Sequence, residues 1–451
     1  MSSLSLLLDL YELSMAESYF HYKKETLATF DLFIRDLPPN RSFLVAAGLE
    51  DVLGYIKRLK FTQEDLNYLK SKKLFSVSFL KYLSKFKFRG DIWAMPEGTV
   101  FFANEPIIRV TALIIEAQII ESFLLNMVNL QTMIASKAAR VVLAAKDKGV
   151  YDFSLRRTHG PFAGIKVARC AYLAGCLGTS NVLAGKLYKI PVAGTMAHSF
   201  VMAFRQEIDS FLAYSNTFPD KTTLLVDTYD TAKGISNAVN IGLYLRAQGH
   251  RLQAIRLDSG DIVLLSKLAR KMLDKAGLSY VKIFASGNLD EFKIKSLISR
   301  GAKVDNFGVG TNMGTSDDAP SLDIIYKISE VTNEDGRFLP TMKLSQGKVT
   351  YPGRKQVFRL QDTRGRFIKD ILGLEKEKIN ARPLLKKVVD KGRIIYNAPT
   401  LDEIRRYLKN NLSRFLQGLK EIDGKYKYPV VISPELKKLR QSIRHQLQKR
   451  Q

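Results

Sequence analysis

The sequence predicts an α/β protein: an irregular (β/α) barrel with a second mixed α/β domain formed by the N-terminal region and the returning C-terminal part. Three observations predict it. Between residues 222 and 311, short apolar runs alternate with helical patterns, and each run ends in a small or acidic residue. Those ends, Asp227, Asp258, Ser286 and Gly308, stand 31, 28 and 22 residues apart, which is one strand-and-helix unit each. The runs are continuously apolar, as strands of a buried parallel sheet must be. Polar residues gathered at the C-terminal ends of such strands put an active site on that face.

The elements follow in order. Residues 6–22 read as an amphipathic helix, 29–35 as an alternating strand and 44–59 as a second helix. Residues 98–102 and 107–111 read as strands broken by Glu105-Pro106. Residues 116–145 form a long helical pattern with small residues around Ala135 to Ala139. The barrel units follow, with strands at 223–226, 252–257, 280–285 and 304–307 and helices at 235–247, 262–276 and up to 299. Beyond Ile324 strands return, through a turn-rich stretch from Lys343 to Lys355. The expected division is an N-terminal mixed domain at 1–115, the barrel at 116–325, and at 326–451 strands returning to the N-terminal domain, then a basic C-terminal region.

Of 451 residues, 46% are apolar and 25% charged, which excludes disorder as the main state. No charge-free stretch reaches 18 residues, so no membrane-spanning helix is expected. The N-terminus lacks a leading positive charge, and Asp9 and Glu12 interrupt its apolar run, so it reads as mature protein rather than a signal peptide. Cys170 and Cys176 form no CxxC and supply neither a disulfide framework nor a structural zinc site; a reducing cytoplasm fits. Lys+Arg 70 against Asp+Glu 44 gives +26. Only the end is dense, where Lys437, Lys438, Arg440, Arg444, Lys449 and Arg450 share a helical spacing without an acid, as a surface helix or a fraying tail. Elsewhere the basic residues are scattered, and no zinc-finger spacing or aromatic-interleaved basic strand accompanies them. Neither nucleic acid nor membrane is the expected partner. A nucleic-acid-binding protein driven by charge is the rival, and it leaves the strand-end acids and glycines unexplained.

Four groups of residues could carry chemistry. Ser286-Gly287-Asn288 and Gly308-Val309-Gly310-Thr311 place small residues just past buried strands, where backbone N–H groups approach an anion closely; tight turn chemistry alone also explains glycine there. Asp227, Asp230, Asp258 and Asp261 stand at two neighbouring strand mouths and suit magnesium or ribose hydroxyls, or simply cap the helices that follow. Arg256, the last residue but one of its strand, suits a carboxylate ligand or a salt bridge to a neighbouring aspartate. Phe153, Arg156, Arg157 and His159 put an aromatic beside guanidinium groups, as for a flat anionic ring or phosphate, or as a solvated turn. His198, taken alone in an apolar setting, reads as a satisfied core histidine.

Jointly, the motifs resemble the nicotinate phosphoribosyltransferase family. They are Phe43-Leu-Val-Ala-Ala-Gly-Leu-Glu50, Phe153-Ser-Leu-Arg-Arg-Thr-His-Gly-Pro161, Gly178-Thr-Ser-Asn-Val-Leu-Ala-Gly185, Ile190-Pro-Val-Ala-Gly-Thr-Met-Ala-His-Ser199, Val226-Asp-Thr-Tyr-Asp-Thr231, Arg256-Leu-Asp-Ser-Gly-Asp261 and Gly308-Val-Gly-Thr311. The resemblance spans residues 6–359 and is less clear beyond.

It implies a (β/α) barrel plus a second domain, a dimer with shared active sites, and NAD biosynthesis by salvage in the cytoplasm. The implied reaction turns nicotinate and 5-phosphoribosyl 1-diphosphate into nicotinate mononucleotide and pyrophosphate, with Mg²⁺ and with ATP hydrolysis coupled through a phosphorylated histidine, here His198. The resemblance places ring binding on Phe153 and on Tyr11 from the other subunit, nicotinate contacts on Thr195 and Arg256, and phosphate contact on Thr311. Ser286, Gly287 and Gly310 then line the phosphate site. Arg156 and Arg256 offer charge, while Asp227 and Asp258 offer ligands for Mg²⁺ or the ribose; the metal ligands themselves stay open. The sister family, nicotinamide phosphoribosyltransferase, is the runner-up. It carries aspartate at the third position of the segment that here reads Gly178-Thr179-Ser180, so serine favours the acid as substrate.

Overall fold

The computed structural model describes residues 4–344 and 350–449. The chain divides into two compact units, residues 1–133 with 321–451, and residues 134–320. The first unit is built on a seven-stranded antiparallel sheet, in the order Phe338–Pro340, Ile324–Thr332, Leu27–Ile34, Pro106–Leu113, Asp91–Ala94, Lys386–Asp390, Arg393–Ile394. Strands from both ends of the sequence interleave in it. Leu32 faces Tyr326 across one ladder, and the Phe30 ring stacks on Tyr326 at 4.8 Å between centroids.

In this unit several expected bounds shift. The first helix is Leu10–Tyr22, so residues 6–9 stay outside it. The helix expected over 44–59 is a short strand, Leu44–Val45, followed by the helix Leu49–Arg58. Gly48, at φ +100°, makes the turn between them, and its N–H donates to Glu97 Oε1 at 2.6 Å. A continuous apolar run gives no periodicity to separate the two elements. The long helix is Ile114–Ile119 and Glu121–Ala145, parted at Ile120, and neither proline nor glycine marks the break. The basic end of the chain forms the surface helix Pro434–Lys449, anchored by buried Leu436 and Ile443. Part of the stretch 343–355, residues 345–349, lies outside the described residues.

The second unit holds a six-stranded parallel sheet, curled as half of a barrel, in the order Gly178–Thr179, Gly149–Asp152, Asn306–Val309, Lys282–Ala285, Ala254–Leu257, Thr223–Leu225. The strands share a buried apolar layer: Leu224, Leu225, Ile255, Leu257, Ile283, Phe307 and Val309 are all buried. Each such side chain contributes about 1.5–3 kcal/mol on burial. The alternating units expected from 223 onward are present, with strand bounds one or two residues tighter. The last strand runs on through Gly308 and Val309 rather than stopping at Phe307. Two strands, Gly149–Asp152 and Gly178–Thr179, extend the sheet beyond the expected four. Because all six strands are parallel, their C-terminal ends share one edge.

Candidate active site

Arg256 is the centre of that edge. Its Nε donates to Ser286 Oγ at 2.7 Å, Nη1 to Thr195 Oγ1 at 2.9 Å and Nη2 to Asp258 Oδ1 at 2.6 Å. One planar fork thus ties together two strand ends and the loop before His198. The guanidinium also stands 5.6 Å from the centroid of the Phe153 ring, within cation–π range. Phe153 stacks on Phe284, with centroids 5.5 Å apart and planes 7° from parallel.

Asp258 joins the neighbouring mouths. Its Oδ1 takes Ser286 Oγ as well as Arg256. Burial would raise its carboxyl, but the Ser286 hydroxyl, the Arg256 guanidinium and His198 outweigh that and hold it below the usual range. Its backbone N–H donates to Asp227 Oδ2 at 2.8 Å, and Ser259 Oγ donates to the same oxygen at 2.7 Å. The other oxygen, Asp227 Oδ1, is buried without a partner. Gly287 permits this closeness: at φ +95°, a Cβ there would fall 2.0 Å from the Asp258 carbonyl oxygen.

His198 begins the helix His198–Met202. Its Nδ1 is 3.1 Å from Thr228 Oγ1, and its Nε2 is 3.8 Å from Asp258 Oδ2, too far for a hydrogen bond. The side chain is 40% exposed, so the core reading of an isolated histidine does not describe it.

The four strand-end aspartates separate cleanly. Asp230 and Asp261 are helix caps: Asp230 Oδ1 accepts from Lys233 N, and Asp261 Oδ1 from Val263 N and Leu264 N. Asp227 and Asp258 cap nothing and face the Arg256 cluster through the bonds above. Arg256 forms the salt bridge to Asp258, and its strand position sets it at the mouth. Ser286 Oγ is committed to Arg256 and Asp258. Gly310 and the exposed Thr311 follow the Asn306–Val309 strand, Thr311 opening the short helix Thr311–Gly314. Arg156 is exposed on the Leu155–Arg157 turn. Tyr11 lies in the first unit, 47% exposed, on the Leu10–Tyr22 helix.

Sequence reasoning passed over Asp152. It ends the strand Gly149–Asp152, is buried, and takes Ser154 N and Oγ on one oxygen and Thr179 Oγ1 on the other. Burial still pushes its carboxyl up against those bonds. It fixes the backbone that presents Phe153 and Ser180, whose N–H donates to the Asp152 carbonyl at 2.9 Å. An acid at a strand end was the signal, but the strand Gly-Val-Tyr-Asp begins on glycine and carries Val150 as its one aliphatic residue, so no apolar run marks it.

Known proteins are similar to this chain over most of its length. Models of the nicotinate phosphoribosyltransferase (NAPRTase) N-terminal domain, family and C-terminal domain match residues 6–129, 149–338 and 377–440. A nicotinate phosphoribosyltransferase of Mycobacterium tuberculosis is 46% identical over 96% of this chain and 92% of its own. The chain belongs to the nicotinate phosphoribosyltransferase family. A nicotinate phosphoribosyltransferase of Bacillus subtilis is 39% identical, covering 96% of this chain and 94% of its own. Among solved structures, human nicotinic acid phosphoribosyltransferase superposes with a TM-score of 0.86 at 28% identity, over 96% of this chain and 99% of that one. The nicotinate-nucleotide pyrophosphorylase of Pyrococcus furiosus gives 0.73 at 27% identity, over 91% and 96%. Family likeness therefore extends past residue 359, where the motifs had become less clear. Among the described residues, no helix is long and apolar enough to cross a membrane.

Proposed function

We propose that the chain transfers the 5-phosphoribosyl group of 5-phosphoribosyl 1-diphosphate to nicotinate, forming nicotinate mononucleotide and pyrophosphate, and that ATP hydrolysis is coupled through His198. The observation that carries this reading is the Arg256 fork, held by Ser286, Thr195 and Asp258 and standing over Phe153. A preset guanidinium beside an aromatic face suits a flat ring bearing a carboxylate.

The pyridine nitrogen is already a nucleophile, so no strong base is required. As the C1–O bond to pyrophosphate breaks, the ribose gains oxocarbenium character and the nitrogen forms the new bond to C1. Phe153 fixes the plane of the ring, Thr195 and Arg256 its carboxylate, and Tyr11 of the partner subunit covers the opposite face of the ring in a homodimer with shared sites. Asp258 neutralises the Arg256 fork from behind and Asp227 meets the ribose or its metal. Gly287, Gly310 and Thr311 line the 5-phosphate, and the exposed Arg156 meets phosphate charge. Alignment and charge, rather than proton transfer, are the protein's contribution.

Asp227 Oδ1, buried and unpartnered, fits a Mg²⁺ ligand. When bound, Mg²⁺ neutralises the leaving pyrophosphate. His198, its side chain 40% exposed, attacks the γ-phosphorus of ATP through Nε2; the bond to the β-γ bridging oxygen breaks, ADP leaves, and water later takes the phosphoryl group. NAD salvage in the cytoplasm is the setting this reaction implies.

The experiment is incubation with labelled nicotinate, phosphoribosyl diphosphate and Mg²⁺, with and without ATP. Nicotinate mononucleotide and pyrophosphate should form in equal amounts, and His198→Ala should uncouple ATP hydrolysis from product. Acid-labile phosphate still appearing on the His198→Ala protein would reject the histidine. No nucleotide under either condition would reject the transfer.

A further inference from the structure

The small residues around Ala135 to Ala139 enclose a buried cation. On the helix Glu121–Ala145, Ala135, Ser136, Ala138 and Ala139 are fully buried, and Lys137 among them is 2% exposed. A lysine is almost never buried unless it is paired. Lys137 Nζ lies 2.7 Å from Glu291 Oε2 and 2.7 Å from Asp318 Oδ1. Three residues further along the helix, Arg140 Nε stands 2.9 Å from Glu291 Oε1. Two cations thus meet two carboxylates, and the charges of these four balance.

The two acids stand just past the two loops given to the 5-phosphate. Glu291 is the fourth residue after Gly287 and opens the helix Glu291–Ser299. Asp318 is the fourth residue after the helix Thr311–Gly314, and its neighbour Asp317 donates its N–H to the Asn312 carbonyl at 3.2 Å. The strands before these loops pair only at Phe284 with Asn306 and Ala285 with Phe307, so their ladder ends before Ser286. Beyond it, side chains join the loops. Asn312 Nδ2 donates to the Asn288 and Leu289 carbonyls, at 3.3 Å each, and Lys137 joins Glu291 to Asp318. Backbone donors on two loops serve one phosphate only if their separation is preset.

We propose that Lys137 is a positioning residue for the sugar 5-phosphate: by bridging Glu291 and Asp318, its ammonium sets the spacing of the loops that carry Gly287 and Gly310. The phosphate it serves rests on the phosphoribosyl-transfer reading; the bridge itself rests on the two ion pairs. Lys137 touches no substrate, being buried and committed to both acids. An ammonium suits the task, since three rotatable donors on a flexible stem can serve two carboxylates from different elements. Arg140 holds the other oxygen of Glu291 and so fixes which one faces Lys137.

The test is calorimetric titration of two probes, ribose 5-phosphate and inorganic pyrophosphate, into the full-length protein with Mg²⁺. Lys137→Met leaves two acids facing each other and risks the fold, so Asp318→Ala is the main variant: the Asp318 side chain is 23% exposed, and its removal leaves the Lys137–Glu291 pair. Asp318→Ala should weaken ribose 5-phosphate by about tenfold or more and leave pyrophosphate within about twofold, as a small misplacement of the loops would. Asp318→Asn, which keeps an oxygen for the ammonium, should lose less. In turnover, Asp318→Ala should raise the KM for 5-phosphoribosyl 1-diphosphate more than the KM for nicotinate. Thermal unfolding reports that each variant is folded. Unchanged ribose 5-phosphate affinity in folded Asp318→Ala overturns the proposal, as do equal weakening of both probes and no ribose 5-phosphate binding by the unmodified protein. Nucleotide formation by the unmodified protein, with unchanged ribose 5-phosphate affinity in Asp318→Ala, sinks the bridge alone. Ribose 5-phosphate bound by the unmodified protein and lost in Asp318→Ala, with no nucleotide formed, sinks the transfer reading alone.

Discussion

The Phe153 ring occupies the space that a side chain at position 308 would need: a Cβ on Gly308 would lie 2.6 Å from Phe153 Cδ2 and 2.9 Å from Phe284. The strand end is therefore bare so that the aromatic can lie across it. Gly308→Ala should displace the ring, cost about 1–3 kcal/mol by overpacking and raise the KM for nicotinate more than it lowers kcat. Equal nicotinate KM for the two proteins would mean that Phe153 does not touch the ring.

The N-terminal helix carries a carboxyl out of its usual range. Glu12 is fully buried, accepts from Ser122 N and Oγ, and leaves Oε2 unpartnered. Burial, then Glu121 and Asp9, push it up to about 8 from about 4.5, against the Ser122 bonds. A folded-state carboxyl raised above its unfolded value holds a proton that the unfolded chain has lost. Its share of stability is complete at low pH and falls as pH rises from about 4.5 to about 8. Glu12→Gln should flatten the fall of melting temperature with pH across that window. An unaltered slope would show that Glu12 is ionised in the folded protein.

Ser180 follows buried Thr179, and its backbone is pinned to Asp152. On the proposed reading, in which nicotinate lies beside this segment, an aspartate there would set a like charge against the ligand's carboxylate at low effective dielectric. Ser180→Asp should cut kcat/KM for nicotinate by about tenfold or more and admit nicotinamide. Equal use of both rings by the unmodified protein contradicts the preference for the acid.

Tyr11 can be assigned by complementation. Tyr11→Ala and Arg256→Ala proteins, mixed under subunit exchange, should recover roughly a quarter of wild-type activity, since about half the dimers are mixed and each has one intact site. Absence of recovery, with exchange confirmed by mass labelling, places both residues in one chain's site or makes Tyr11 structural.

The sequence showed the barrel strands wherever an apolar run was long enough, as at Leu224 and Ile255, and lost them where a glycine began a strand of two to four residues, as at Gly149 and Gly178. Candidate residues were legible as types at strand ends. Their division into helix caps and others was not, because burial and the donors within reach separate Asp230 from Asp227, and both are set by the fold. The Arg256 fork depends on sheet register, which sets Phe284 beside Arg256 and so brings Ser286 to it.

The most direct measurement is calorimetric titration of nicotinate into the unmodified protein and into Arg256→Gln, both with Mg²⁺ and inorganic pyrophosphate present. Arg256→Gln loses the charge but keeps donors for Thr195 and Ser286. The account predicts that nicotinate affinity falls by about tenfold to a hundredfold in Arg256→Gln, as loss of a charge-assisted pair should cost. Undiminished nicotinate affinity in a folded Arg256→Gln protein would contradict it and place the ring elsewhere.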